Sequence, residues 1–162
     1  MKSIDKLIVC KGFALCRGIM SAYDSYNYTI EETSTDSKFS QLLYLLYGGG
    51  TAPDGKEYHN NLLLDVREYY EKPFAFKSGS AGAMWLCINP IPANKFFDAS
   101  LIKAGETKTI RGDGKEHIIL SAKGYITAND RILEMFQYVR VLNGKEAIIN
   151  VPENSEAIYL TR

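Results

Sequence analysis

Side chains able to hold a metal, attack a bond or move a proton are sparse in this sequence. There are two histidines, His59 and His117. A catalytic zinc or iron site draws on two or three histidines, or histidines with carboxylates, converging on one ion. Both histidines with Asp65 or Glu116 would make such a set, but no local spacing supports it. The plainer placement puts His59 at the surface beside the Pro53-Asp54-Gly55 turn and His117 at a strand edge. No metal ligand and no cofactor is therefore expected.

The three cysteines are Cys10, Cys16 and Cys87. Their number is odd, and the spacing of the first two is wider than a metal knuckle uses. They read as free, buried thiols in a reducing compartment. No Gly-x-Ser-x-Gly elbow occurs. Ser78-Gly79-Ser80-Ala81-Gly82 comes nearest and reads as a flexible loop between strands. Nothing in the residue order favours a Cys–His pair. Gly48-Gly49-Gly50 lacks the phosphate-loop pattern and no dinucleotide fingerprint follows a strand. It reads as a turn needing positive φ, although glycine backbone can also approach an anion closely. Arg111-Gly112-Asp113 spells an adhesion tripeptide, yet with Gly114 next it reads as a tight turn. No catalytic residue is assigned.

Eleven tyrosines are many for 162 residues. They gather at Tyr23, Tyr26 and Tyr28, at Tyr44 and Tyr47, and at Tyr69 and Tyr70. Tyrosine joins a broad apolar ring to a polar tip, which suits half-buried strand positions, interfaces and pocket mouths. The chemistry points to binding rather than catalysis.

The elements that must carry these residues are mostly strands. Residues 4–20 alternate loosely between apolar and charged, broken by Gly12 and Gly18, as in one bulged strand or two short ones. Residues 23–32 are aromatic and β-branched, which favours a strand. Residues 39–47 are open to two readings, a strand buried on both faces or a helix capped by Asp36 or Ser37 and stopped by Gly48. Residues 62–71 have helical spacing, with Pro73 as the stop. A strand surrounds Trp85, the only tryptophan, and ends at Asn89-Pro90. After Gly105, strand candidates recur at 107–110, 117–121, 125–127, 147–151 and 157–160, separated by turns. Residues 132–142 also allow both states; Val139, Val141 and the Asn143-Gly144 turn favour a strand. Short, regular spacing of this kind predicts a sandwich or barrel.

Composition excludes some classes. Hydrophobic residues at 46% and charged residues at 23% exclude a disordered chain and fit one domain over residues 1–162. Lys and Arg number 19, as do Asp and Glu. With no basic excess, a duplex nucleic-acid partner is not expected, and single-strand binding by stacked tyrosines is disfavoured. Lys2, Asp5 and Lys6 precede any apolar run, so no signal peptide is read. The longest apolar stretch, 42–47, is far short of the ~20 residues that span a bilayer. A cytoplasmic protein without a membrane partner is the expectation.

The C-terminal half resembles the cupins, the small double-stranded β-helix or jelly-roll family. Leu101-Ile102-Lys103-Ala104-Gly105-Glu106 resembles the family's lead-in turn, and His117 to Thr127 a strand ending in a glycine turn at Gly124. Asn143-Gly144 and the run from Ile148 to Leu160 resemble the second motif. The family has Pro, Gly and a metal-binding His there; this chain has Pro152, Asn154 and Ala157. Asn154 tolerates the left-handed backbone that glycine would supply, whereas Ala157 cannot bind metal. Gln41 and Gly48 resemble the end of the first motif, with Gln41 where a metal-binding Glu would stand; Ser34 and Asp36 fall near the places of its two histidines.

The resemblance implies a mainly β, cupin-like jelly-roll barrel with one or two short helices, the alternative being an α+β domain. It implies a barrel without the family's metal site. The function expected is a non-catalytic module that binds a small ligand or assembles into symmetric homo-oligomers. A virus-type structural or accessory protein is one form of this. The mouth residues expected to bind ligand are Tyr44, Trp85, Phe136, Tyr138 and His117. The alternative is a metal-free, isomerase- or epimerase-like enzyme on a sugar- or nucleotide-like molecule, with Tyr and His59 or His117 as acid and base.

Overall fold

The computed structural model describes residues 2–29, 40–69 and 73–162. The chain divides into two compact units, Met1–Phe96 and Phe97–Arg162. Helix among the described residues is limited to one 3-10 turn, Val66–Tyr69.

The first unit is one antiparallel sheet. Its strands are β1 (Lys2–Val9), β2 (Phe13–Met20), β3 (Ser25–Thr29), β4 (Leu42–Thr51), β5 (Glu57–Tyr58), β6 (Leu63–Asp65) and β7 (Pro73–Pro90). The order is β1-β2-β7-β4-β5, with β3 also on β7 and β6 also on β4. β4 and β7 are central, and each is buried on both faces along its apolar stretch. That explains why 42–46 shows no alternation. One face carries Cys16, Met20, Leu43, Leu45, Ala83, Trp85 and Cys87, packed with Leu62, Leu64, Val66 and Phe76. Phe13, Leu15, Leu42, Tyr44, Leu86 and Ile88 are buried on the other.

The open choice at 39–47 resolves to strand from Leu42 onward. The helical spacing read over 62–71 is overridden at Leu63–Asp65, while Val66–Tyr69 form a 3-10 turn and residues 70 and 71 lie outside the described residues. Leu63 pairs with Tyr44 and Leu64 with Leu43, so β4 captures these residues as β6 before the 3-10 turn begins. The segment 78–82 is not a loop between strands. It lies inside β7, where the register jumps: Gly48 pairs with Ala83, but Gly50 pairs with Ser78. Residues 79–82 therefore bulge out of the ladder opposite Gly49 alone.

The second unit is built of β8 (Asp98–Ile102), β9 (Thr107–Arg111), β10 (His117–Lys123), β11 (Ile126–Ala128), β12 (Arg131–Leu133), β13 (Tyr138–Val141), β14 (Glu146–Asn150) and β15 (Glu156–Thr161). The sheet orders are β13-β10-β15-β8 and β12-β11-β14-β9. The first strand pairs with the last, the second with the seventh, the third with the sixth and the fourth with the fifth. This nested pairing, folded into two sheets, is a jelly roll. Its core contains Ile102, Ile110, Ile119, Ile126, Val141, Ile149 and Ala157. Each fully buried aliphatic side chain contributes about 1.5–3 kcal/mol. Asn154 sits at φ 60°, the left-handed conformation expected of it in the matched motif. Residues 132–142 form two strands, β12 and β13, about a turn.

Candidate functional site

The break in register between β4 and β7 makes a cleft in the first unit. It has a volume of about 510 Å³. Its floor is Gly48-Gly49-Gly50 of β4 and its far wall is Lys77 to Ala81 of β7. Tyr23, Tyr47, Glu57 and His59 complete the lining. The glycines are needed where they stand. A Cβ on Gly48 would strike the carbonyl oxygen of Gly82, one on Gly50 that of Lys77, and one on Gly49 that of Tyr58, with His59 Nδ1 at 2.8 Å. A side chain at Gly79 would meet only the Gly49 oxygen, at 3.6 Å.

Other groups fix the walls. Tyr23 occupies the turn between β2 and β3 at φ 54°. Its N–H donates to the Gly79 oxygen (3.1 Å). Buried Ser78 clips the same turn: its hydroxyl donates to Ser21 O (2.6 Å) and accepts from Asp24 N (2.8 Å). The bulge and the turn thus hold each other. Tyr23 and Tyr47 are 69% and 66% exposed. Two rings, an imidazole, an ammonium, a carboxylate and the Ser80 hydroxyl consequently surround a space of ligand size. Just outside, Asp54 accepts from the Tyr58 hydroxyl (2.8 Å). That bond raises the Tyr58 pKa and, after the Lys56 backbone N–H, lowers that of Asp54.

The second unit carries a hydrogen-bonded chain. His117 Nδ1 lies 2.7 Å from the Tyr159 hydroxyl, and Nε2 lies 2.7 Å from Asp113 Oδ1. With the ring proton on Nε2, the imidazole donates to the carboxylate and accepts from the phenol. His117 begins β10, an inner strand rather than a sheet edge, and is 7% exposed. Asp113 comes from the Arg111–Gly114 turn and also accepts from Lys115 N (3.0 Å). Gly112 lets that turn close, since a Cβ there would strike the Leu142 oxygen. The His117 bond and then the Lys115 N–H hold the Asp113 pKa below the usual carboxylate value. Burial, and then the Asp113 charge, push the Tyr159 pKa up. Lys108 Nζ lies 4.8 Å from the Tyr159 ring centroid.

The five expected mouth residues divide between the two units, Tyr44 and Trp85 in the first and Phe136, Tyr138 and His117 in the second. Tyr44 pairs with Leu86 and Trp85 with Leu45, so strand alternation puts Tyr44 and Trp85 on opposite faces of the first unit's sheet. Trp85 packs edge-on against Phe76, with centroids 4.7 Å apart. In the second unit, Phe136 occupies a turn at φ 72° and Tyr138 pairs with Leu120. Tyr138 therefore faces away from the side that carries His117 and Tyr159. His117 belongs to the polar chain with Asp113 and Tyr159.

The donors considered for a metal are committed elsewhere. Asp65 takes Arg67 at 2.6 Å and the Gln41 amide at 3.2 Å. Glu116 takes Arg162 at 2.7 Å and Arg140 at 2.8 Å. Burial would raise the Glu116 pKa, but the two guanidinium groups hold it low. Gln41 is buried and bonded to Asp65, and Ala157 offers no donor. Ser34 and Asp36 lie outside the described residues. Among those residues no group of three or more His, Cys, Asp or Glu is placed to hold an ion. Among the described matched positions, Gln41 and Ala157 supply neither the carboxylate nor the imidazole of the family's metal site.

No family model matches the sequence. No curated protein is similar to it in sequence. Solved structures are similar in fold. HutD from Pseudomonas fluorescens SBW25 shares 10% identity over 93% of this chain and 80% of its own, with a TM-score of 0.54. The conserved protein of unknown function PA5104 from Pseudomonas aeruginosa PAO1 shares 9% over 92% and 79%, with a TM-score of 0.55. These two likenesses agree with the mainly β architecture described above. A cupin 2 conserved barrel domain protein from Leptotrichia buccalis is also similar, at 7% identity over 99% and 88%, with a looser TM-score of 0.44. At these identities the likeness concerns fold alone. No helix among the described residues is long and apolar enough to cross a membrane.

Proposed function

We propose that this protein binds a small, polar, ring-bearing molecule, of sugar or nucleoside type, in the cleft of its first unit. The observation that carries the reading is the cleft itself: about 510 Å³, floored by glycine backbone and flanked by two largely exposed tyrosines. Ligand pockets have this size and this mixture of ring surface with a few polar groups. Tyr23 and Tyr47 supply faces for stacking. Lys77, Glu57, His59 and Ser80 supply donors and acceptors around them. Self-association is a companion proposal: among the described strands β1 is at the edge of its sheet, with Ile8 and Val9 at 50% and 68% exposure.

The test is native mass spectrometry of the protein as purified, followed by saturation-transfer NMR against a panel of monosaccharides and nucleosides. Binding that weakens about 2- to 10-fold in each of Tyr23→Ala and Tyr47→Ala is expected. No binder in the panel and no retained small molecule would refute the reading.

A second reading is favoured by the Asp113–His117–Tyr159 chain, which has the form of an acid–base relay without metal. Asp113 fixes the imidazole tautomer, the imidazole accepts the phenol proton, and Tyr159 is the group that would meet a substrate. Its test is the same panel followed for proton exchange in D2O. Turnover that His117→Gln abolishes would support it, and no exchange with any compound would remove it.

A further inference from the structure

Two cysteines that stand far apart in sequence face each other across β2 and β7. Cys16 and Cys87 are partners within unbroken antiparallel pairing, from Phe13 with Pro90 to Met20 with Ala83. Directly opposed residues point to the same face, with Cα atoms about 4.5 or 5.5 Å apart according to the type of pair. Both spacings lie within the roughly 4.4–6.8 Å that a disulfide spans. The sulfurs already share a hydrogen bond, and Ser40 bonds to both. Cys16 is partly exposed, whereas Cys87 is 3% exposed.

We propose that Cys16 and Cys87 are a redox-active pair that closes reversibly to a disulfide when the protein meets a hydroperoxide. The bond from Cys87 lowers the Cys16 pKa to about 7 against the effect of burial, with a smaller contribution from Ser40. That bond and burial both push the Cys87 pKa up. Cys16 is thus the thiolate and Cys87 the resolving thiol. The Cys16 thiolate attacks the nearer peroxide oxygen, the O–O bond breaks, and the alcohol or water leaves once protonated, giving a sulfenic acid. Cys87 sulfur then attacks Cys16 sulfur, the S–O bond breaks, and the Cys87 proton leaves with the hydroxyl as water. Two thiols are oxidised by two electrons and one peroxide is reduced. A dithiol reductant reverses the change.

Cys10 is an internal control. It lies in the turn between β1 and β2, with its N–H on the Phe13 oxygen. Three residue steps along β2, about 10 Å, separate Phe13 from Cys16. Burial pushes the Cys10 pKa up.

The experiment treats the full chain with hydrogen peroxide at pH 7, unfolds it, alkylates the free thiols and maps peptides under non-reducing conditions. The expected result is a fall from three alkylated cysteines to one, a linked Cys16–Cys87 peptide, and recovery of all three after dithiothreitol. Cys16→Ser should leave Cys87 alkylatable after peroxide, and Cys10→Ser should leave the link intact. Because the wild-type peptide map needs no variant to fold, it decides the matter alone. Three thiols still alkylated, Cys16 oxidised to sulfinate beside a free Cys87, or a link that contains Cys10 would each overturn the proposal.

Discussion

Adding one methyl group at two glycines of the cleft should have opposite consequences. In Gly50→Ala the new Cβ is driven into the Lys77 carbonyl and to 2.8 Å from Ser78 Cα. Both obstacles are backbone of a paired strand, so relief requires parting β4 from β7 where Gly50 pairs with Ser78 and Thr51 with Lys77. Overpacking of this kind costs about 1–3 kcal/mol, and loosened ladder bonds move the result toward the upper end. In Gly79→Ala the methyl meets only the Gly49 oxygen at 3.6 Å, an ordinary contact. There the reduced freedom of the unfolded chain should add about 0.4–1 kcal/mol of stability, while the methyl narrows the cleft. The assay is urea unfolding followed by Trp85 emission, which reports the first unit because no other tryptophan exists. Equal loss in both variants, or no loss in Gly50→Ala, would refute the packing argument.

Further expectations concern the second unit. Asn154→Gly should change stability by only a few tenths of a kcal/mol, whereas Asn154→Ala should cost about 1 kcal/mol, because φ 60° penalises a plain Cβ; thermal unfolding of the pair checks this. Ile119→Ala, in the middle of the jelly-roll core, should cost about 2–5 kcal/mol by chemical denaturation. Asp113 has a lowered folded pKa, so its contribution is present above the unfolded value of about 3.9 and lost as pH falls through the folded one. Acid unfolding of Asp113→Asn should therefore be less steep at low pH. Tyr159 has a raised folded pKa, so its contribution holds below about 10 and is lost as pH rises through the folded value. Tyr159→Phe should flatten that alkaline limb in a pH series of melting temperatures.

Much of the second unit was legible in the sequence. The strand candidates at 107–110, 117–121 and 157–160 lie within β9, β10 and β15, and 147–151 overlaps β14, because each is bounded by a turn with its own chemistry at Gly114, Gly144 or Asn154. Residues 63–65 misled because Leu62, Val66 and Tyr69 have helical spacing, whereas pairing to β4 decided the state of those three. The cleft was visible only in pieces. The glycine run, the Ser78–Gly82 segment, His59 and two tyrosine clusters each stood out. Their union depends on a register jump within β7, and single-sequence periodicity does not encode which strand a bulge will oppose. Tyr44 and Trp85 drew attention as large rings, yet adjacent positions across a pleated pair sent them to opposite faces. The Asp113–His117 contact had a local signal, a carboxylate four residues before a histidine across a tight turn. Tyr159 arrives by β10–β15 pairing, which only the nested topology supplies.

Amide chemical-shift mapping with the tightest-binding monosaccharide or nucleoside of the panel tests the central claim most directly. Perturbations gathered at residues 47–51, 59 and 77–81, with Tyr23, are the predicted result. Shifts gathered around Asp113, His117 and Tyr159, with the cleft silent, would contradict it.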